Sequence, residues 1–157
     1  MSRPEGERLT RRQVAAGVAA ITLVPLAPGS RAAVAGDQIS TALEKITGGV
    51  PVTDGRVKLE ISSLAENGFS VPLTVSVDSP MTADDHVKAI HILSEKNPVA
   101  EVVKFNLSPR MGRAKVSTSI RMADTQRVLA VAEMSDGSFC SDEAHVIVTL
   151  SACIDGG

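Results

Sequence analysis

Tryptophan and tyrosine are absent from this chain, and three phenylalanines are its only aromatic residues. A sequence so poor in rings has no stacking platform for single-stranded nucleic acid. It also lacks the basic excess that phosphate backbones demand, because 16 lysines and arginines stand against 18 aspartates and glutamates. Nucleic-acid binding is excluded on both counts. Histidine is scarce, with His86, His91 and His145 scattered, and no Cys-x-x-Cys or His-Glu-x-x-His spacing occurs. No metal site is expected from such a set, and no cofactor. No Ser–His–Asp arrangement can be read from the spacing either.

A long apolar run is missing as well. The stretch from Val14 to Leu26 falls short of the roughly 20 residues that a membrane-spanning helix needs. It follows the pair Arg11-Arg12 and precedes Ala33-Val34-Ala35, a small-x-small cleavage pattern. Residues 1–35 are therefore expected to be a twin-arginine export signal that is removed, leaving a periplasmic protein without a membrane span. The leader carries five of the basic residues and two of the acidic ones. The remaining 122 residues hold 11 basic and 16 acidic side chains, a net charge of −5.

What is present is a change of period. Asp37 to Gly49 reads as one short amphipathic helix, with Ile39, Ala42, Leu43 and Ile46 on one face, Asp37 as N-cap and Gly48 as the closing glycine. From Arg56 onward the period is 2. Val57–Ile61, Phe69–Val77, Val87–Leu93, Val99–Leu107, Val116–Met122, Val128–Met134 and Val146–Leu150 are seven short runs rich in Val, Ile, Leu and Thr. Turn signals such as Asn67-Gly68, Asp78-Ser79-Pro80, Asn97-Pro98 and Asp136-Gly137 separate them. The pattern predicts an all-β fold, an antiparallel β-sandwich of immunoglobulin-like type over residues 36–150, with one N-terminal helix. Pro72 inside the second run predicts an edge strand or a bulge there. His91 reads as a packed or rim residue, Asp84-Asp85 as a solvated turn, and Arg110 and Arg113 as a hairpin tip.

Two cysteines remain. Cys140 follows the Asp136-Gly137 turn and reads as a rim residue near the start of the last strand, a second thiol of unknown role. Cys153 lies beyond the other end of that strand. Thirteen extended residues would separate the two by about 40 Å, against the roughly 4.4–6.8 Å that a disulfide needs. An internal bond is not expected. Residues 151–157 (Ser151, Ala152, Cys153, Ile154, Asp155, Gly156 and Gly157) read as a flexible arm carrying a reachable thiol. No cation flanks Cys153 in sequence to activate it, which suits a thiol loaded by other proteins better than a catalyst. Two functions fit: a covalent carrier, or a non-catalytic exported β-sandwich module for binding or assembly.

The whole mature chain resembles the SoxY family, the sulfur-carrier subunits of the periplasmic thiosulfate-oxidising system. The residues carrying the likeness are Asn67-Gly68-Phe69-Ser70-Val71-Pro72, Val77-Asp78-Ser79-Pro80-Met81-Thr82, Ile90-His91-Ile92, Phe105-Asn106-Leu107-Ser108-Pro109-Arg110 and Ala132-Glu133-Met134-Ser135-Asp136-Gly137-Ser138. The resemblance implies that Cys153 is the covalent carrier site and that the protein is not itself an enzyme. It implies a heterodimer with a SoxZ-like β-sandwich subunit. It further implies a haem c enzyme that conjugates thiosulfate to the thiol, a hydrolase that releases sulfate and, in organisms that have one, a sulfane dehydrogenase. The family's usual ending is Gly-Gly-Cys-Gly-Gly, whereas here Ser151-Ala152 precede the cysteine and Ile154-Asp155 separate it from the final glycines.

Overall fold

The computed structural model describes residues 38–150 of the chain. Helix α1 (Gln38–Thr47) forms where the 3.6-residue period places it. Gly48 ends it with φ 62°, a left-handed conformation that glycine adopts without strain, and its N–H donates to the Glu44 carbonyl at 2.8 Å. Asp37, the expected N-cap, lies outside the described residues.

Nine strands follow: β1 (Val52–Asp54), β2 (Val57–Ile61), β3 (Leu64–Ala65), β4 (Val71–Val77), β5 (Val87–Ser94), β6 (Glu101–Asn106), β7 (Ala114–Ile120), β8 (Gln126–Met134) and β9 (Phe139–Val148). They form two sheets. One has the order β1-β9-β8-β5-β6, with β3 also paired to β9, and the other has the order β2-β4-β7. All seven expected strands are among them, so the immunoglobulin-like sandwich stands. β1 and β3 were not foreseen, and each runs parallel to β9, so the sheets are not purely antiparallel. Three and two residues are too few to show a period of 2.

Packing follows the alternation. In β4 the side chains of Val71, Leu73, Val75 and Val77 point into the core between the sheets, where they meet Ile90, Ile92, Val128, Ala130, Val146 and Val148. β5 and β8 are buried on both faces, because α1 covers the outer side of their sheet. There Ile39 packs with Leu93, Leu129, Val131 and Phe139. His91 lies on that outer side of β5, 3% exposed, with Nδ1 at 2.8 Å from Glu101 Oε1.

Pro72 does not mark an edge strand. β4 is the middle strand of its sheet, but β2 pairs with it only from Leu73 onward. Pro72 therefore faces a single neighbour, Ser119 of β7, and no β2 residue needs its missing N–H. β4 begins at Val71 rather than Phe69, because the Phe69 N–H donates to the Asn67 side chain at 2.7 Å in a turn. Among the described residues no helix is long and apolar enough to cross a membrane.

Candidate functional site

The arm residues 151–157, with Cys153, lie outside the described residues. The structure does show the platform from which they leave. Strand β9 runs between β8 on one side and β1 and β3 on the other, and its last residues are bonded on both flanks. Ile147 N–H donates to the Ser63 carbonyl at 2.9 Å and Thr149 N–H to the Ala65 carbonyl at 3.1 Å. The Thr149 hydroxyl donates to the Glu66 carbonyl at 3.0 Å. Val148 N–H donates to the Thr125 hydroxyl oxygen at 2.9 Å. Last, Gly68 N–H donates to the Leu150 carbonyl at 2.8 Å. The chain is thus held by main-chain bonds up to the residue that precedes the arm.

Beneath this platform lies a buried polar network that composition does not reveal. Gln126 opens β8 opposite Val146 and is fully buried. Its Oε1 accepts from the Ser94 hydroxyl at 2.5 Å and from Lys96 N–H at 2.7 Å, while its Nε2 donates to Asn97 Oδ1 at 3.1 Å. Asn97 in turn donates to the Arg121 carbonyl at 2.7 Å and accepts from Ala123 N–H at 3.0 Å. These five hydrogen bonds lock two loops against the end of β9, where an apolar core would leave their backbone groups unpaired. The only sequence signal was the turn pair Asn97-Pro98, which read as punctuation.

Cys140 corrects the rim assignment. It is the second residue of β9, 3% exposed, and packs in the core between the sheets. Its register partners are Thr53 and Ala132, and its sulfur lies 3.5 Å from the Thr53 hydroxyl, close enough for either to donate. The misreading came from the polar run Ser141 to His145, which seemed to postpone the strand to Val146. Those residues belong to β9: Ser141, Glu143 and His145 turn outward, while the inward Asp142 accepts from the Leu59 N–H of β2 at 2.8 Å. Cys140 is a free thiol. Eight residues of strand put it about 26 Å from Val148, whereas five residues reach at most about 18 Å from Val148. A bond to Cys153 would require β9 to unravel.

The other sequence candidates stay apart. Asp85 pairs with Arg56 at 3.4 Å in the turn before β5. Arg110 follows the Ser108 cap of a 3-10 turn at Pro109–Met111. Among the described residues no group of three or more His, Cys, Asp or Glu side chains is arranged to hold a metal ion. A groove of about 470 Å³ lies between α1 and the first half of β9, lined by Ile39, Leu43, Val52 and Ser141. It is at the opposite end of β9 from the arm.

A model of the family described as sulfur oxidation protein SoxY matches residues 43–153. The solved structure of the sulfur carrier protein SoxY from Chlorobium limicola f thiosulfatophilum is 27% identical, with a TM-score of 0.60 over 71% of this chain and 91% of that one. A superoxide reductase (neelaredoxin) from Ignicoccus hospitalis shares the fold at 14% identity, with a TM-score of 0.53 over 60% of this chain and 80% of its own. No curated protein matches. Element order, sandwich topology and a family match spanning most of the chain lead to one assignment: the chain belongs to the SoxY family of sulfur oxidation proteins.

Proposed function

We propose that this protein is a covalent carrier of sulfur intermediates in thiosulfate oxidation, with the cargo on Cys153. The observation that carries the reading is the extent of the family match, which runs through the β-sandwich and ends at Cys153 itself. The anchored end of β9 supports it. A thiol three residues beyond Leu150 stands within about 11 Å of a fixed point, so the domain delivers it to other proteins without taking part in the chemistry. Joining thiosulfate to the thiol makes a sulfur–sulfur bond and releases one proton and two electrons, so an electron acceptor is needed. The haem c enzyme fills that role, a hydrolase releases sulfate, and a sulfane dehydrogenase acts where present.

The setting belongs to the same proposal. The twin arginine and cleavage pattern in residues 1–35 direct export to the periplasm, and a SoxZ-like subunit completes a heterodimer. The protein is a substrate-bearing subunit and not an enzyme. Cys153→Ser tests the reading: thiosulfate-dependent electron transfer by the reconstituted system is expected to vanish, while unchanged transfer would contradict it.

A further inference from the structure

The lysines and arginines of the described residues divide into two groups. Arg56, Lys58, Lys88, Lys96 and Arg127 each pair with a carboxylate, at 2.8 to 3.5 Å. Lys104, Arg110, Arg113, Lys115 and Arg121 are all exposed, and none of them pairs with a carboxylate among the described residues. These five fall within residues 102–123, a stretch that holds no aspartate or glutamate. Outside it the described residues carry 14 acidic side chains against six basic ones. The stretch is a cationic margin on an acidic body.

That margin coincides with an open sheet edge. Four strands end the two sheets, β1 and β6 in one, β2 and β7 in the other. Three of them are blunted in ways that discourage pairing with another chain. β1 has only three residues. The Leu59 N–H of β2 is taken by Asp142 Oδ2 at 2.8 Å. In β6 the register against β5 skips Val102, which makes a bulge. β7 has none of these devices. Its seven residues pair with β4 in unbroken register, and among the described residues no strand pairs with its other side. Arg113 stands immediately before β7, Lys115 within it and Arg121 immediately after it.

We propose that β7 is a docking edge for an extended, acidic strand of another protein. Main-chain groups on the open side of β7 pair with the incoming strand, and its carboxylates meet Arg113, Lys115 and Arg121. Val116 and Thr118 are half-buried on the core side, which suits apolar side chains on that face of the partner strand. Lys115, Ser117 and Ser119 are exposed on the other face, where the partner's acids belong. A second copy of this chain is disfavoured as occupant, because two β7 edges side by side would double the same cations without a counter-charge. The unpaired cations also speed the encounter with an acidic partner in a salt-sensitive way. The proposal goes beyond the carrier reading and needs neither Cys153 nor its cargo.

Fluorescence anisotropy with the full chain and a labelled short peptide, alternating valine with glutamate and threonine, tests it. The peptide is expected to bind, and its affinity to fall roughly tenfold between about 10 mM and about 150 mM salt. Arg113→Glu combined with Lys115→Glu weakens binding by roughly tenfold or more. Both side chains are exposed, so an unchanged melting temperature will show that the variant folds. Bound peptide slows deuterium exchange in β7 and leaves β6 unchanged. Absence of binding, equal binding by the charge-reversed variant, or protection outside β7 would overturn the proposal and leave the cations as a guard against aggregation. Equal binding of a peptide with lysine in place of glutamate would also overturn it. So would adhesion to phosphatidylglycerol vesicles without peptide binding, which would make the stretch a lipid contact. Thiosulfate loading of Cys153 is a separate readout, so the carrier reading and the docking edge fail independently.

Discussion

Cys140 sits in the core with its sulfur beside the Thr53 hydroxyl, and its chemistry is spent on packing. A thiol that is 3% exposed has no access to reagents or partners. Cys140→Ala is expected to cost about 1–2 kcal/mol of stability and to leave thiosulfate oxidation intact, as denaturant titration and the reconstituted assay will show. Gln126 is the more consequential residue at this scale. Replacing it with leucine strands the Ser94 hydroxyl and the Lys96 N–H without an acceptor. Gln126→Leu should therefore destabilise the fold by about 2–4 kcal/mol and speed hydrogen exchange at Val146–Thr149 before it affects β4.

Among the elements, the hairpin joining β8 to β9 shows a local acid dependence. The Asp136 carboxyl is held below its ordinary value of 3.8 by the Ser138 hydroxyl first and then by the Ser138 N–H. Asp124, in the turn before β8, is held low by the Thr125 N–H and then by Lys96. A depressed carboxylate stabilises the folded chain above its ordinary value, and that contribution disappears as pH falls through the lower folded value. Urea midpoints at pH 6 and pH 3 should therefore differ less in Asp136→Ala than in the unmodified chain. An equal difference would mean that the Asp136 turn contributes nothing to the acid response. Gly137 in the same hairpin has φ 85°, so Gly137→Ala should cost about 1–2 kcal/mol by the same titration.

Elements with enough residues to show a period were legible in the sequence, and those without were not. α1 and the seven longer strands announce themselves through Ile39-Ala42-Leu43-Ile46 and through runs such as Val71-Leu73-Val75-Val77. β1 and β3 hold only three and two residues and depend on pairing with β9. The start of β9 was hidden because Asp142 points inward to cap Leu59, breaking the apolar alternation at the place where it was needed. The network around Gln126 was illegible for another reason. Its partners are some 30 positions apart in sequence, and only the fold brings Ser94, Asn97 and Gln126 together. The cysteine of the arm, read from its position alone, lies outside the described residues.

At the scale of the whole molecule, the sandwich works as a handle. Two sheets and one helix bury a core that fixes the end of β9, and the polar network keeps that end rigid. The proposed carrier role calls for such a fixed body, which stays recognisable to each partner while the cargo moves. Under the proposed function, Cys153 alone bears sulfur. Intact and peptide mass spectrometry of the protein isolated from its native host tests this. Adducts in steps of one sulfur atom or one sulfonate are expected, confined to Cys153, with Cys140 bare. A Cys153 thiol that stays unmodified while thiosulfate is being oxidised, or adducts found elsewhere on the chain, would contradict it.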